Sequence, residues 1–87
     1  MKIALDYDNT YTSDPKLWDI FIRICQQQGH EVICITLRPN QNNMEINIPI
    51  YCTAYENKWD FAKRNQLNID IWIDDSPYWI LNNAGNF

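Results

Sequence analysis

Four consecutive apolar residues, Val32-Ile33-Cys34-Ile35, run between Glu31 and Thr36. A strand with one wet face would alternate apolar and polar residues, and this run does not. A strand from Glu31 to Thr36 must therefore be covered on both faces, as strands of parallel sheets are. Ile3-Ala4-Leu5 and Ile48 to Cys52 read the same way, and so does Asp70 to Asp74 (Asp-Ile-Trp-Ile-Asp). Between the first two runs, Ser13 or Asp14 can cap a helix and Pro15 suits its first position. Leu17, Trp18, Ile20, Phe21, Ile22, Ile24 and Cys25 give that helix a broad apolar stripe, and Gly29 stops it. The stripe predicts a helix buried against the sheet. Leu37 to Asn47 is polar, carries Pro39 and has room for one helical turn. Thr53-Ala54-Tyr55-Glu56 matches a capping box, which predicts a helix from there to about Gln66. Asp75-Ser76-Pro77 reads as a turn into a short last helix ending near Asn82.

Strands alternating with helices imply a parallel sheet with right-handed crossovers. The expected architecture is a small, Rossmann-like, three-layer α/β domain whose four parallel strands are ordered 3-2-1-4. A chain of 87 residues makes one such domain with a single modest core. Ligands of open α/β sheets bind beyond the carboxyl ends of the strands, where the strand order reverses. In this order the reversal falls between the first and fourth strands.

That edge is acidic. Asp6 and Asp8 follow the first strand, Thr36 ends the second, and Asp74 and Asp75 follow the fourth. Alternate residues of an extended chain point the same way, so Asp6 and Asp8 can face one spot. A lone Asp-x-Asp after a strand is more often a solvated, turn-capping loop. Two acidic pairs on neighbouring strands change that balance, because close carboxylates repel unless a cation or a proton sits between them. Oxygen ligands with no usable His or Cys suit Mg²⁺. Carboxylates around such an ion suit phosphoryl transfer, in which one Asp attacks phosphorus and another shuttles a proton.

The net charge of −4 and the lack of a basic run disfavour non-specific nucleic-acid binding. Cys25, Cys34 and Cys52 show no metal or redox spacing and read as reduced thiols, mostly buried, in a cytoplasmic protein. No signal peptide precedes the first strand and no apolar run approaches membrane length, so no membrane association is expected.

Asp6-Tyr7-Asp8-Asn9-Thr10 resembles the first motif of the haloacid dehalogenase-like (HAD) superfamily, Asp-x-Asp-x-Thr. Thr36, at the end of an apolar strand, is similar to the second motif, and Asp74-Asp75 after Ile71-Trp72-Ile73 to the acidic fourth. The resemblance implies a Mg²⁺-dependent phosphomonoester hydrolase. Asp6 would be the nucleophile and a metal ligand. Asp8 would be the general acid/base, giving the metal its backbone carbonyl. Thr36 would hydrogen-bond the phosphoryl group, Asp75 would ligate the metal directly, and Asp74 would support its bound water. Thr10 would hold the loop.

The family's third motif is a Lys, for which Lys58 and Lys63 compete. A helix after a parallel strand starts at the carboxyl edge and runs away from it, so Lys63 lies roughly 7.5 Å further off. Lys58 is the better placed, although it needs a carboxylate partner near the positive end of the helix dipole. Arg38 either reaches a substrate phosphate or packs on its loop. His30 precedes the second strand, on the wrong edge for catalysis. Cys34 and Arg38 lack the spacing of a cysteine-phosphatase loop.

Most members of the superfamily carry a cap domain. Here only Tyr7 to Asp14 and Leu37 to Asn47 are available for one, so the resemblance is to the smallest, capless members. An oligomer partner, or a substrate large enough to cover the site, must then exclude water. Ile71 to Pro77 is also similar to the fourth motif of deoxyribonucleotidase-like members, which brings a nucleotide or a phosphorylated strand end among the candidate substrates. The competing readings are a HAD-fold binding protein without turnover, a receiver domain and a toprim nuclease. The last two place their acidic residues in a different strand order.

Overall fold

The structure, a computed structural model, describes residues 1–85. Its elements are β1 (Lys2–Leu5), a 3₁₀ turn (Tyr11–Ser13), α1 (Pro15–Gln27), β2 (Glu31–Thr36), β3 (Ile50–Cys52), α2 (Lys58–Arg64), β4 (Ile71–Ile73) and α3 (Tyr78–Leu81). The strands form one four-stranded sheet in the order β3-β2-β1-β4, as the run pattern predicts. Every pairing is parallel, with Ile3 opposite both Val32 and Ile71, and Cys34 opposite Ile50.

The apolar run in β2 does what its composition requires. Val32, Ile33, Cys34 and Ile35 are each no more than 2% exposed. Their side chains alternate between two cores. Val32 and Cys34 join Ile3, Leu5, Ile22 and Cys25 under α1. Ile33 and Ile35 join Ala4, Ala62 and Leu67 under α2. The result is a three-layer domain. No helix of the described residues is long and apolar enough to cross a membrane.

Asp14 caps α1, accepting the Leu17 amide at 3.2 Å. Gly29 follows in the left-handed region, φ 83°, which releases the chain into β2. The stripe of α1 is less buried than its width suggests. Ile22 and Cys25 are buried, with Trp18 and Phe21 packed at their side, but Leu17, Ile20 and Ile24 are 53%, 47% and 50% exposed. The physical reason is geometric. Positions 18, 22 and 25 form one row along a helix, and positions 17, 20 and 24 form another, turned away from it. A sheet of short strands covers only the first row.

The second helix also departs from its sequence signal. Thr53 does not begin a helix, because its hydroxyl donates to the Glu56 carbonyl instead of accepting from a helical amide. Ala54 and Tyr55 then adopt left-handed φ values of 53° and 72°. The cap is Asn57, whose side chain accepts the Asp60 amide at 2.8 Å. Segment 37–49 holds no helical turn. It is pinned instead by the Glu45 amide, which donates to the Tyr7 hydroxyl at 3.0 Å, and by Met44 and Ile46 packed against the core.

Asn57 thus sets where α2 begins, and with it where Lys58 sits. Asn57→Ala is expected to cost about 1 kcal/mol, lowering the melting midpoint by roughly 4–8 °C. Asn57→Ser, which keeps a capping oxygen, should recover most of that. A melting curve unchanged by Asn57→Ala would move the cap elsewhere.

Candidate active site

β1 is central, and its chain leaves the sheet at Asp6, whose amide still donates to the Ile73 carbonyl of β4 at 2.9 Å. That bond keeps the ends of β1 and β4 side by side and brings Asp6 beside Asp74 and Asp75. One carboxylate oxygen from each of the three lies within 4.8 Å of the others. Asp6 is buried, Asp74 half-buried and Asp75 exposed.

Lys58, the first residue of α2, reaches into this cluster. Its ammonium lies 2.8 Å from Asp6 Oδ1 and 2.6 Å from Asp74 Oδ2, and the residue is 2% exposed. The carboxylate partner required near the helix dipole is therefore present twice over. Lys63 is exposed and lines a separate hollow with Trp59 and Trp72. Thr10 Oγ1 lies 3.0 Å from Asp6 Oδ2 and 2.9 Å from Asp75 Oδ1, and accepts the Asp75 amide at 3.1 Å. A single hydroxyl hydrogen serves only one carboxylate at a time. The Ser76 amide donates to Asp74 Oδ1 at 2.9 Å.

Three carboxylates against one ammonium leave two negative charges in the cluster when all are ionised. A divalent cation with oxygen preference matches both the charge and the donor set. Burial pushes the Asp6 carboxyl up to about 6, against the charge of Lys58 and its hydrogen bond, which pull the other way. Burial also pushes Asp75 up, but hydrogen bonds involving Asp6, Thr10, its own amide and Ser76 hold it below the usual carboxylate range.

Asp8 is turned to a different partner. Arg38 grips it with two nitrogens, Nε to Oδ2 at 2.9 Å and Nη2 to Oδ1 at 2.7 Å. The guanidinium also stacks over the Tyr7 ring, 5.1 Å from its centroid. Arg38 is thus held between the Asp8 carboxylate and the Tyr7 ring. Thr36, 1% exposed, accepts the Arg38 amide at 3.3 Å. Asp6, Asp8, Thr36, Lys58, Asp74 and Asp75 all line one cavity of about 150 Å³.

The residues singled out in the sequence therefore converge, and four others complete the lining: Asn9, Leu37, Ser76 and Trp79. Asn9 and Ser76 are flanking residues that adjacency to the acidic pairs would have found. Trp79 carried no signal of its own. A larger hollow of about 480 Å³ lies between α1 and residues 44–47, but its charged residues Asp19, Arg23 and Glu45 are all exposed. His30 is remote from the cavity, with Nδ1 2.8 Å from the amino terminus. Burial pushes the Cys34 thiol up to about 12, which leaves it a core residue and not a nucleophile.

No protein-family model matches the chain, and no match is found among curated proteins or solved structures.

Two predictions follow from this electrostatic arrangement. Lys58→Met removes the partner of two buried carboxylates, a loss on the order of 3–5 kcal/mol. That is a large part of the stability of a domain this small, whereas Lys63→Met should be nearly silent in a melting curve. Comparable losses from both would contradict the pairing. The second concerns pH. A folded-state pKa of about 6, above the ordinary carboxylate value of 3.8, means the folded form holds a proton that the unfolded form releases. Metal-free stability should therefore fall as pH rises through the interval from 4 to 6. Asp6→Asn should flatten that fall, and an unchanged slope in Asp6→Asn would assign it to another group.

Proposed function

We propose that this domain is a Mg²⁺-dependent phosphomonoester hydrolase working through an aspartyl-phosphate. The observation that carries the reading is the ammonium of Lys58 held between Asp6 and Asp74, with Asp75 beside them on the carboxyl edge of the sheet. A buried lysine spanning two carboxylates next to a third acid is poorly explained by stability alone. It is well explained as a screen for a phosphoryl group and its attacking oxygen. The resemblance of Asp6 to Thr10 and of Asp74-Asp75 to HAD motifs agrees with this assignment.

In this mechanism an Asp6 carboxylate oxygen attacks phosphorus. The ester P–O bond breaks, and the departing oxygen takes a proton from Asp8. Asp8 then accepts a proton from water as that water attacks the phosphoryl group, releasing orthophosphate and restoring the Asp6 carboxylate. Thr36 and Lys58 orient the phosphoryl oxygens, and Lys58 offsets their charge. Asp6 and Asp75, with the backbone of Asp8, would hold Mg²⁺ and Asp74 would support its bound water; the ion would supply charge stabilisation to the transferring group. The substrate is a small phosphomonoester, with nucleotides and phosphorylated strand ends among the candidates, and a second copy of the chain is one way to close the open site. Three free cysteines fit a cytoplasmic setting.

A second reading, a binding protein without turnover, draws on the Arg38 clamp. Both Asp8 oxygens are engaged, so proton delivery requires that clamp to open.

Slow, Mg²⁺-dependent hydrolysis of an aryl phosphate is expected, lost in Asp6→Asn and reduced on the order of 10²–10³ in Lys58→Ala if the variant folds. Turnover persisting in Asp6→Asn would remove the nucleophile from its role. Mg²⁺ should also raise the melting midpoint beyond sodium chloride at matched ionic strength, by about 2.7 kcal/mol in stability at a hundredfold excess over Kd. A shift equal to the salt control would favour the second reading without metal.

A further inference from the structure

The cavity around Asp6 holds about 150 Å³, and most of its lining is charged or polar. A phosphoryl group belongs on that floor, so the alcohol of a substrate has to lie across the rim. Leu37 and Trp79 are the apolar residues of the lining, one from each side of the acidic edge. Trp79 belongs to α3, and the chain fixes this short element at both ends. Before it, the Ser76 amide is bound to Asp74 at 2.9 Å, and the Trp79 amide donates to the Ser76 carbonyl at 3.1 Å.

After α3, Asn83 Oδ1 accepts from the Asn57 amide at 2.8 Å and from its side chain at 2.9 Å. The Ala84 amide donates to the Tyr55 carbonyl at 2.8 Å. The indole is further buttressed by the Tyr78 ring, edge to face at 4.9 Å and 87°. A short helix tied to the Asp74–Ser76 loop at one end and to the residue before Lys58 at the other fixes the backbone that carries the ring. An aromatic residue on a fixed backbone at the cavity rim offers a flat group a surface to stack on, with only two side-chain torsions to restrict.

We infer that Trp79 is the specificity-determining wall of this site, selecting phosphomonoesters whose alcohol carries a flat aromatic ring. The inference rests on the phosphoryl-site reading above and names the substrate class for it. The shared chemistry is an aromatic ring close to the ester. It is met by a ring on the ester oxygen itself, as in an aryl phosphate, or by a base one sugar away, as in a nucleoside monophosphate.

The test compares ring-bearing with ringless esters. Affinities for phenyl phosphate, adenosine 5′-monophosphate and ribose 5-phosphate are measured by calorimetry with Mg²⁺, on Asp6→Asn to prevent turnover. At least one ring-bearing ester should bind about tenfold more tightly than ribose 5-phosphate, as stacking on one aromatic side chain allows. Trp79→Leu should erase the difference and Trp79→Phe should keep most of it. A preference for phenyl phosphate alone places the ring on the ester oxygen, and one for the nucleotide alone places it a sugar away; either supports the wall. Equal affinities, no binding of any of the three to Asp6→Asn together with no competition by any of them in the unaltered chain, or a preference that survives Trp79→Leu overturns it. The unaltered chain gives the same comparison through competition against an aryl phosphate, so the outcome does not depend on a variant that folds. Hydrolysis of ribose 5-phosphate is followed separately. An intact ring preference without hydrolysis of any ester would sink the hydrolase reading and leave the wall standing.

Discussion

Much of this domain depends on one buried ammonium. Lys58 comes from α2, Asp6 from the end of β1 and Asp74 from the end of β4, so the two ion pairs tie together three elements that are distant in the chain. Burying a lysine at 2% exposure carries a desolvation cost that its partners must offset. The offset is local and incomplete, since three acids face one base. A lysine suits the position better than an arginine would, because a compact charge on a flexible stem can lie between two carboxylates without demanding a planar fork. The cluster is therefore organised by its own electrostatics, and it carries two net negative charges when all three acids are ionised.

The frame around this cluster is held by strain as well as by charge. Ala54 and Tyr55, neither a glycine, both occupy the left-handed region. Such residues cost on the order of 1 kcal/mol each and persist only when their surroundings over-determine them. Here the Ala54 amide donates to the Arg38 carbonyl at 3.2 Å and the Tyr55 amide to the Leu37 carbonyl at 2.8 Å. The loop before α2 is thus strapped to the loop after β2, the loop that carries Arg38 toward Asp8. Backbone bonds between neighbouring loops stiffen the mouth of the cavity.

The strand order was legible because it follows from runs that must be covered on both faces, and from the handedness of parallel crossovers. The acidic edge was legible for the same reason, as strand ends are easy to place once strands are. Lys58 was separable from Lys63 by helix direction alone, even though the helix itself was misread. Thr53-Ala54-Tyr55-Glu56 has the letters of a capping box but not its conformation, because hydrogen bonds from outside the segment pull Ala54 and Tyr55 out of the helical region. The half-exposed row of Leu17, Ile20 and Ile24 could not be foreseen, since the width of the sheet that α1 covers is a tertiary quantity. Nor could the pairing of Arg38 with Asp8, which joins residues 30 apart through side chains on two loops. Trp79 looked like any apolar residue of a short helix.

The central place of β1 has a consequence for how the molecule is made. β1 is first in chain order, yet one neighbour begins at Glu31 and the other at Ile71. Until β4 has been synthesised, one edge of β1 has no partner, and the half-formed sheet offers it to any extended peptide nearby. Closure of that edge is the event that sets Asp6 beside Asp74 and Asp75. β4 therefore completes both the sheet and the acidic cluster, and a chain stalled before it would have neither a sealed core nor the three converging carboxylates.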